Sequence, residues 1–170
     1  MAIKQLLAND NKAIQDLAQW EQRRESIRAR LFETIGIPPV TRNTRSIQIV
    51  NEEKLGEYVR SKISYIVGEG ERITAYLLRS KDLMKSAPAI LALHQTVKYG
   101  KDEVVGLNGC PDFAYGLELA GRGYIVLAPD HLTAGERIYP GKDSFDSGPF
   151  YEQYPAWSMV GKNLEDSSSA

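Results

Sequence analysis

Apolar positions at helical spacing come first along the chain. Between about Asn11 and Ile35, Trp20, Arg24, Ile27 and Leu31 share a face with Leu17 nearby. Glu21, Gln22, Arg23, Glu25 and Arg28 fall between them. This pattern predicts an amphipathic helix, and the charge run Arg23-Arg24-Glu25 reads as solvated surface rather than as a partner surface. Gly36 suits a C-terminal stop, and Pro38-Pro39 forbids continuation. A linker is expected from about Pro38 to Gly56. Period-two alternation follows. Val59, Ser61, Ile63, Tyr65 and Val67 point one way, and Tyr58, Arg60, Lys62, Ser64 and Ile66 point to a wetter face. Gly68-Glu69-Gly70-Glu71 reads as a turn and Arg72 to Leu78 as a returning strand, so the pair predicts an antiparallel hairpin.

The next apolar run differs in kind. Ala89 to Leu93 is apolar at every position and ends abruptly in His94-Gln95-Thr96. Such a run predicts a strand covered on both faces. Gly123 to Ala128 has the same character and ends in Asp130-His131. Between them, about Asp112 to Arg122 reads as a helix with Phe113, Leu117, Leu119 and Ala120 as its apolar positions. Strand, helix and strand in this order predict two parallel strands joined by a right-handed crossover. Ligands of parallel sheets bind at the carboxyl ends of the strands. His94-Gln95-Thr96 and Asp130-His131 are expected together at that edge.

Composition narrows the function classes. The 170 residues suit one domain or one domain with an extension, and the balance of apolar and charged residues is that of an ordinary globular protein. A net charge of -1 gives no field that draws the chain to nucleic acid or to an anionic membrane. One cysteine, Cys110, cannot form an internal disulfide, so a reducing cytoplasm is the expectation. The opening residues lack a signal-peptide core, and no run is long enough to span a bilayer. Two histidines leave little material for a metal site. His94, Asp130, His131 and Glu136 could gather around an ion, but they lack a recognised ligand spacing. A Cys110–His94 thiol–imidazole pair has no spacing in its favour. The glycines at 100, 106 and 109 match neither phosphate-binding fingerprint.

The order of these segments resembles the α/β-hydrolase family, and within it the dienelactone hydrolase and acetyl xylan esterase type. The likeness is carried by RITAYLLRS, by ALHQT followed by Gly100-Lys101-Asp102-Glu103, by Leu117-Glu118-Leu119-Ala120, and by GRGYIVLAPD followed by Gly135-Glu136-Arg137. The helix bearing Trp20 and Arg23-Arg24 resembles an extension found in some bacterial members. The fold implied is α/β: the amino-terminal half of a hydrolase sheet, an antiparallel hairpin and then parallel strands, with an N-terminal helical extension. Residues 1–55 would be extension and linker, and residues 56–170 a partial hydrolase domain.

The resemblance also implies roles. The Gln95 backbone N–H would be one donor of an oxyanion hole. His94 would shape that loop and would not be the catalytic base. Asp130 would be structural and could pair with Arg137 across the turn. The aromatic-rich stretch from 132 to 160 could line a substrate pocket through Tyr139, Phe150 and Trp157, or could pack its own aromatics over the sheet. The implied chemistry is serine hydrolysis of a carboxylic ester or similar acyl bond of a small molecule, without metal or organic cofactor.

No Gly-x-Ser-x-Gly occurs anywhere. In the family order the Ser, acid and His would all follow the strand at 124–128. Asn163, with Asp166 three residues on, is expected to cap a helix that leads towards the nucleophile strand. The expectation is therefore an amino-terminal fragment, inactive alone. A second reading is a non-catalytic binding or assembly module that self-associates through the unpaired edge of strand 89–93.

Overall fold

The computed structural model describes residues 8–9, 12–36, 46–68, 70–83 and 86–169. A short antiparallel pair, β1 (Ala8–Asn9) and β2 (Lys12–Ala13), precedes helix α1 (Leu17–Ile35). The helix begins later than its periodicity suggests because Asp16 caps it, accepting the Gln19 N–H at 2.8 Å. Gly36 ends it at φ 83°, with its N–H bonded to Phe32 O. Asn11, Pro38-Pro39 and the first part of the expected linker lie outside the described residues. The apolar face does not become core: Leu17 and Leu31 are exposed, and only Ile35 is buried. There the helix docks, because Ile35 O accepts both the N–H and the hydroxyl of Ser158.

The second half of the expected linker is a strand, β3 (Ile47–Leu55). It pairs antiparallel with β4 (Tyr58–Val67), which pairs antiparallel with β5 (Glu71–Ser80). Strand β3 was hidden because an edge strand with no buried face has no reason to alternate. All its residues but Leu55 are exposed, and its register shifts between Ile49 and Asn51. The chain then forms β6 (Ala89–Leu91), α2 (Lys101–Val104), α3 (Tyr115–Gly121) and β7 (Ile125–Pro129). The sheet order is β3-β4-β5-β7-β6, antiparallel throughout except for the parallel β6–β7 pair. Helices α4 (Gly148–Gln153) and α5 (Met159–Ser168) complete the described chain.

The two sheet faces have separate cores. On one face Leu78, Ala92, Val126 and Ala128 pack under Val104, Val105 and Ala120 of the α2–α3 layer. On the other, Ile63, Tyr65, Val67, Ile73 and Ala75 form a cluster that Leu77 and Leu127 extend. The alternation read in the hairpin is present, but the wetter face is also covered. Arg60 is buried, bonded to Glu53 at 2.7 Å and to Val105 O at 3.4 Å.

Strand β6 departs from its expected burial. Ala92 turns into the first core, but Leu91 and Leu93, on the opposite face, remain 39% and 40% exposed. The strand lies at the sheet edge, and the described residues bury only one of its sides. Helix α5 begins at Ser158, whose side chain accepts the Gly161 N–H at 3.0 Å, so Asn163 is not its cap. Asn163 Oδ1 instead accepts the Leu132 N–H at 2.9 Å.

Candidate functional site

Because β6 and β7 run parallel, the residues that follow them leave the sheet at one edge. His94 and Gln95 follow β6, Asp130 and His131 follow β7, and the structure joins the two pairs. The His131 N–H donates to His94 Nε2 at 3.0 Å, and the two rings lie 4.9 Å apart. His94 Nδ1 is 2.7 Å from Gln95 O. A ring that accepts at Nε2 must carry its proton at Nδ1, so His94 is the neutral Nδ1–H form and donates to that carbonyl. Both its nitrogens are engaged by backbone, and neither is left for a thiol or an ion. Cys110 is exposed. Among the described residues, no group of three or more His, Cys, Asp or Glu side chains is placed to hold a metal.

The Gln95 side chain donates to Glu103 on α2. Among the described residues its backbone N–H has no acceptor, and neither does any other backbone N–H from Leu93 to Tyr99. Tyr115 supports the loop from below by donating to Leu93 O at 2.5 Å.

Asp130 is wholly buried, and its carboxylate is not paired with Arg137. It accepts from Lys101 Nζ at 2.5 Å, from the Lys101 N–H at 2.8 Å and from the Glu136 N–H at 3.0 Å. Arg137 reaches only the Asp130 carbonyl, at 3.3 Å. Its charge is answered by Glu71 at 2.6 Å and by Asp166 at 2.8 Å, the latter an ion contact without hydrogen-bond alignment. Lys162 closes this ring, at 2.6 Å from Glu71 and 2.5 Å from Asp166. Sequence reasoning missed Lys101 because Asp130 is remote in sequence; Lys162 has Asp166 one helix turn on, but its other partner, Glu71, is remote.

Glu136 takes bonds from Lys62 and from Thr74, with Lys101 at 3.4 Å. Burial pushes the Glu136 carboxyl up, but the Lys62 and Thr74 hydrogen bonds and the lysine charges outweigh it and hold it at about 2. His131 shifts the same way: burial first, then the neighbouring His94 and Arg137, lower its pKa from 6.5. Both groups are depressed on folding, so the unfolded chain takes up protons that the folded chain refuses. The stability they contribute is present above the unfolded values and is lost as pH falls. The melting temperature is therefore expected to drop from pH 7 to pH 5 through His131 and further below pH 4.5 through Glu136. His131→Asn should flatten the upper limb alone. A wild-type midpoint that stays level or rises from pH 7 to pH 5 would contradict this assignment.

The loop beyond His131 is stitched tightly. Thr133 and Phe145 both have positive φ, 72° and 70°, and the Phe145 N–H donates to Thr133 O at 2.9 Å. Phe150 and Trp157 are buried in a cluster with Leu132, and Tyr139, Tyr154 and Met159 pack on its margin. Of the two arrangements open to these aromatics, the structure places Phe150 and Trp157 in a packed cluster. Burying Phe150 contributes roughly 1.5–3 kcal/mol to packing this segment on itself. An open cleft of about 480 Å³ lies elsewhere, lined by Glu52, Lys54, Val59, Arg79 and Lys81. It sits at the opposite end of the sheet, since β5 is antiparallel to β7 and its N-terminal half meets the end of β7.

An antiparallel hairpin feeding parallel strands, with polar loops at their carboxyl ends and a helix ahead of them, defines the fold as the amino-terminal part of an α/β-hydrolase-like sheet. The chain is similar in structure to a Bacteroides fragilis protein provisionally named an acetyl xylan esterase. The match has a TM-score of 0.73 at 20% identity, covers 89% of this chain and spans 42% of the length of that protein. At this identity the likeness is one of fold. No family model matches the sequence, and no curated protein matches it. Among the described residues, no helix is long and apolar enough to cross a membrane.

Proposed function

We propose that the chain is part of a serine hydrolase that acts on carboxylic esters or similar acyl bonds of small molecules, and that the Gln95 N–H is one donor of its oxyanion hole. The observation that carries this reading is the Gln95 N–H without an acceptor. It lies in a loop that His94 ties to the end of the neighbouring parallel strand. The hydrolase-like fold and the esterase name of the structural neighbour support it. A backbone donor held rigid before an acyl group arrives stabilises the developing oxyanion without reorganising during the reaction. Tyr139, at the margin of the aromatic cluster, would form part of the pocket wall, backed by Phe150 and Trp157. No metal or organic cofactor is required, and no triad member is assigned to this chain.

The test uses methylphosphonate, a stable tetrahedral anion. In a titration followed by backbone amide NMR, the Gln95 N–H should move downfield more than the other amides of residues 94–98. Gln95→Pro, which removes the donor, should abolish the response. The unmodified 170-residue chain should hydrolyse p-nitrophenyl acetate no faster than buffer. If no amide of this loop responds, or if the response survives in Gln95→Pro, the oxyanion assignment is wrong.

A further inference from the structure

Glu103 is a buried carboxylate that the chemistry so far leaves unused. It is 3% exposed, and among the described residues no lysine, arginine or histidine forms an ion pair with it. Only neutral groups hold it. One oxygen accepts from the Gln95 side-chain amide, and the other accepts the Cys110 N–H at 2.9 Å. Gly109 leaves room for it: a Cβ there would stand 2.3 Å from Glu103 Oε1. Burying a carboxylate without a cation is costly, and an apolar side chain would fill the same space at less expense. Packing therefore does not account for a carboxylate here, whereas holding two loops at once does.

Helix α2 places this grip with economy. Lys101, at its start, holds Asp130 beyond β7, and Glu103, two residues on, holds Gln95 beyond β6. One short helix thus clamps the polar ends of both parallel strands. We infer that Glu103 is the positioning residue of the Gln95 loop: by fixing the Gln95 side chain, it fixes the direction of the backbone N–H of the same residue. The functional weight of this inference rests on the oxyanion reading of Gln95; the clamp itself does not.

Exchanging the partners tests the clamp. Gln95→Glu alone sets two carboxylates against each other. The double exchange Gln95→Glu with Glu103→Gln restores one donor and one acceptor in reverse, and the new amide oxygen still faces the Cys110 N–H. The readout is the order parameter of the residue-95 N–H in the full chain at pH 7. It should fall from about 0.85 to below about 0.6 in the single variant and return in the double exchange. Gln95→Met, which keeps the length and removes the donor, gives the same loss of order where the paired charges prevent folding. The inference is overturned if the residue-95 N–H stays ordered in Gln95→Met. It is also overturned if the double exchange remains disordered while melting like the wild type. A general packing role for Glu103 would lower the melting temperature without this reciprocal rescue. Loop order is measured without any anion, so a failed methylphosphonate titration and a failed rescue are separate results.

Discussion

Lys101→Met is expected to destabilise the fold by about 3–5 kcal/mol, since it leaves a buried charge uncompensated. Lys101 is 1% exposed and the Asp130 side chain 0%, so no water can take over the lost partner. The two N–H donors of Lys101 and Glu136 remain, but they are dipoles set against a full charge. Removing the ammonium also releases Glu136, which Lys101 approaches at 3.4 Å. Urea unfolding followed by the fluorescence of the buried Trp157 would read the loss. Asp130→Asn added to Lys101→Met removes the stranded charge and keeps one acceptor, so the double variant should recover part of the stability. A single-variant loss below about 1 kcal/mol, in the range of an exposed pair, would mean that the Asp130 carboxylate is not buried as a charged partner of Lys101.

Gly135→Ala is the second large effect, about 2–5 kcal/mol, and it has two separable causes. Gly135 has φ +56°, a conformation that costs an L-residue about 1–2 kcal/mol. A Cβ there would also stand 2.2 Å from Asp130 Oδ1 and 2.5 Å from its Cγ, and such overpacking adds about 1–3 kcal/mol. The carboxylate cannot step aside without leaving Lys101. Gly70→Ala is the control: its φ is +92° and a Cβ would meet nothing within 4 Å, so only the conformational cost of about 1–2 kcal/mol applies. Equal losses at the two positions, by the same urea titration, would show that Asp130 does not fill the space beside Gly135.

Legibility followed burial. The hairpin at 58–80 and strand β7 could be read because their residues alternate, or stay apolar, according to which faces are covered. The turn into β7 was equally plain, because Gly123 sits at φ +91° where the helix must end. Strand β3 was not legible, since its pairing is backbone hydrogen bonding at an edge and asks almost nothing of its side chains. Strand β6 was over-read: an all-apolar run implies two covered faces, yet Leu91 and Leu93 remain exposed on one of them. The charged interior was illegible for a different reason. Glu71, Arg137, Lys162 and Asp166 look like surface residues one by one. Only folding brings the four together, and none has a partner at a spacing that pattern reading would single out except Lys162 and Asp166 on one helix turn. Gln95 could be placed at a strand tip from sequence. Its lock on Glu103 follows from the turn at 97–100 that brings α2 back beneath the loop.

The junction between Ile35 and Ser158 bears on the order of events during synthesis. Helix α1 leaves the ribosome early, but the group that receives its last carbonyl lies 123 residues further on. At elongation rates of about 5–20 residues per second, roughly 6–25 s pass before Ser158 can emerge. For that interval α1 is a 19-residue helix with Leu17, Leu31 and Phe32 in water and nothing to dock against. Most of the stability of a protein helix comes from packing its apolar face, which this one lacks until then. Nascent chains arrested before residue 158 should therefore be cut by protease within 17–35, and the released 170-residue chain should resist.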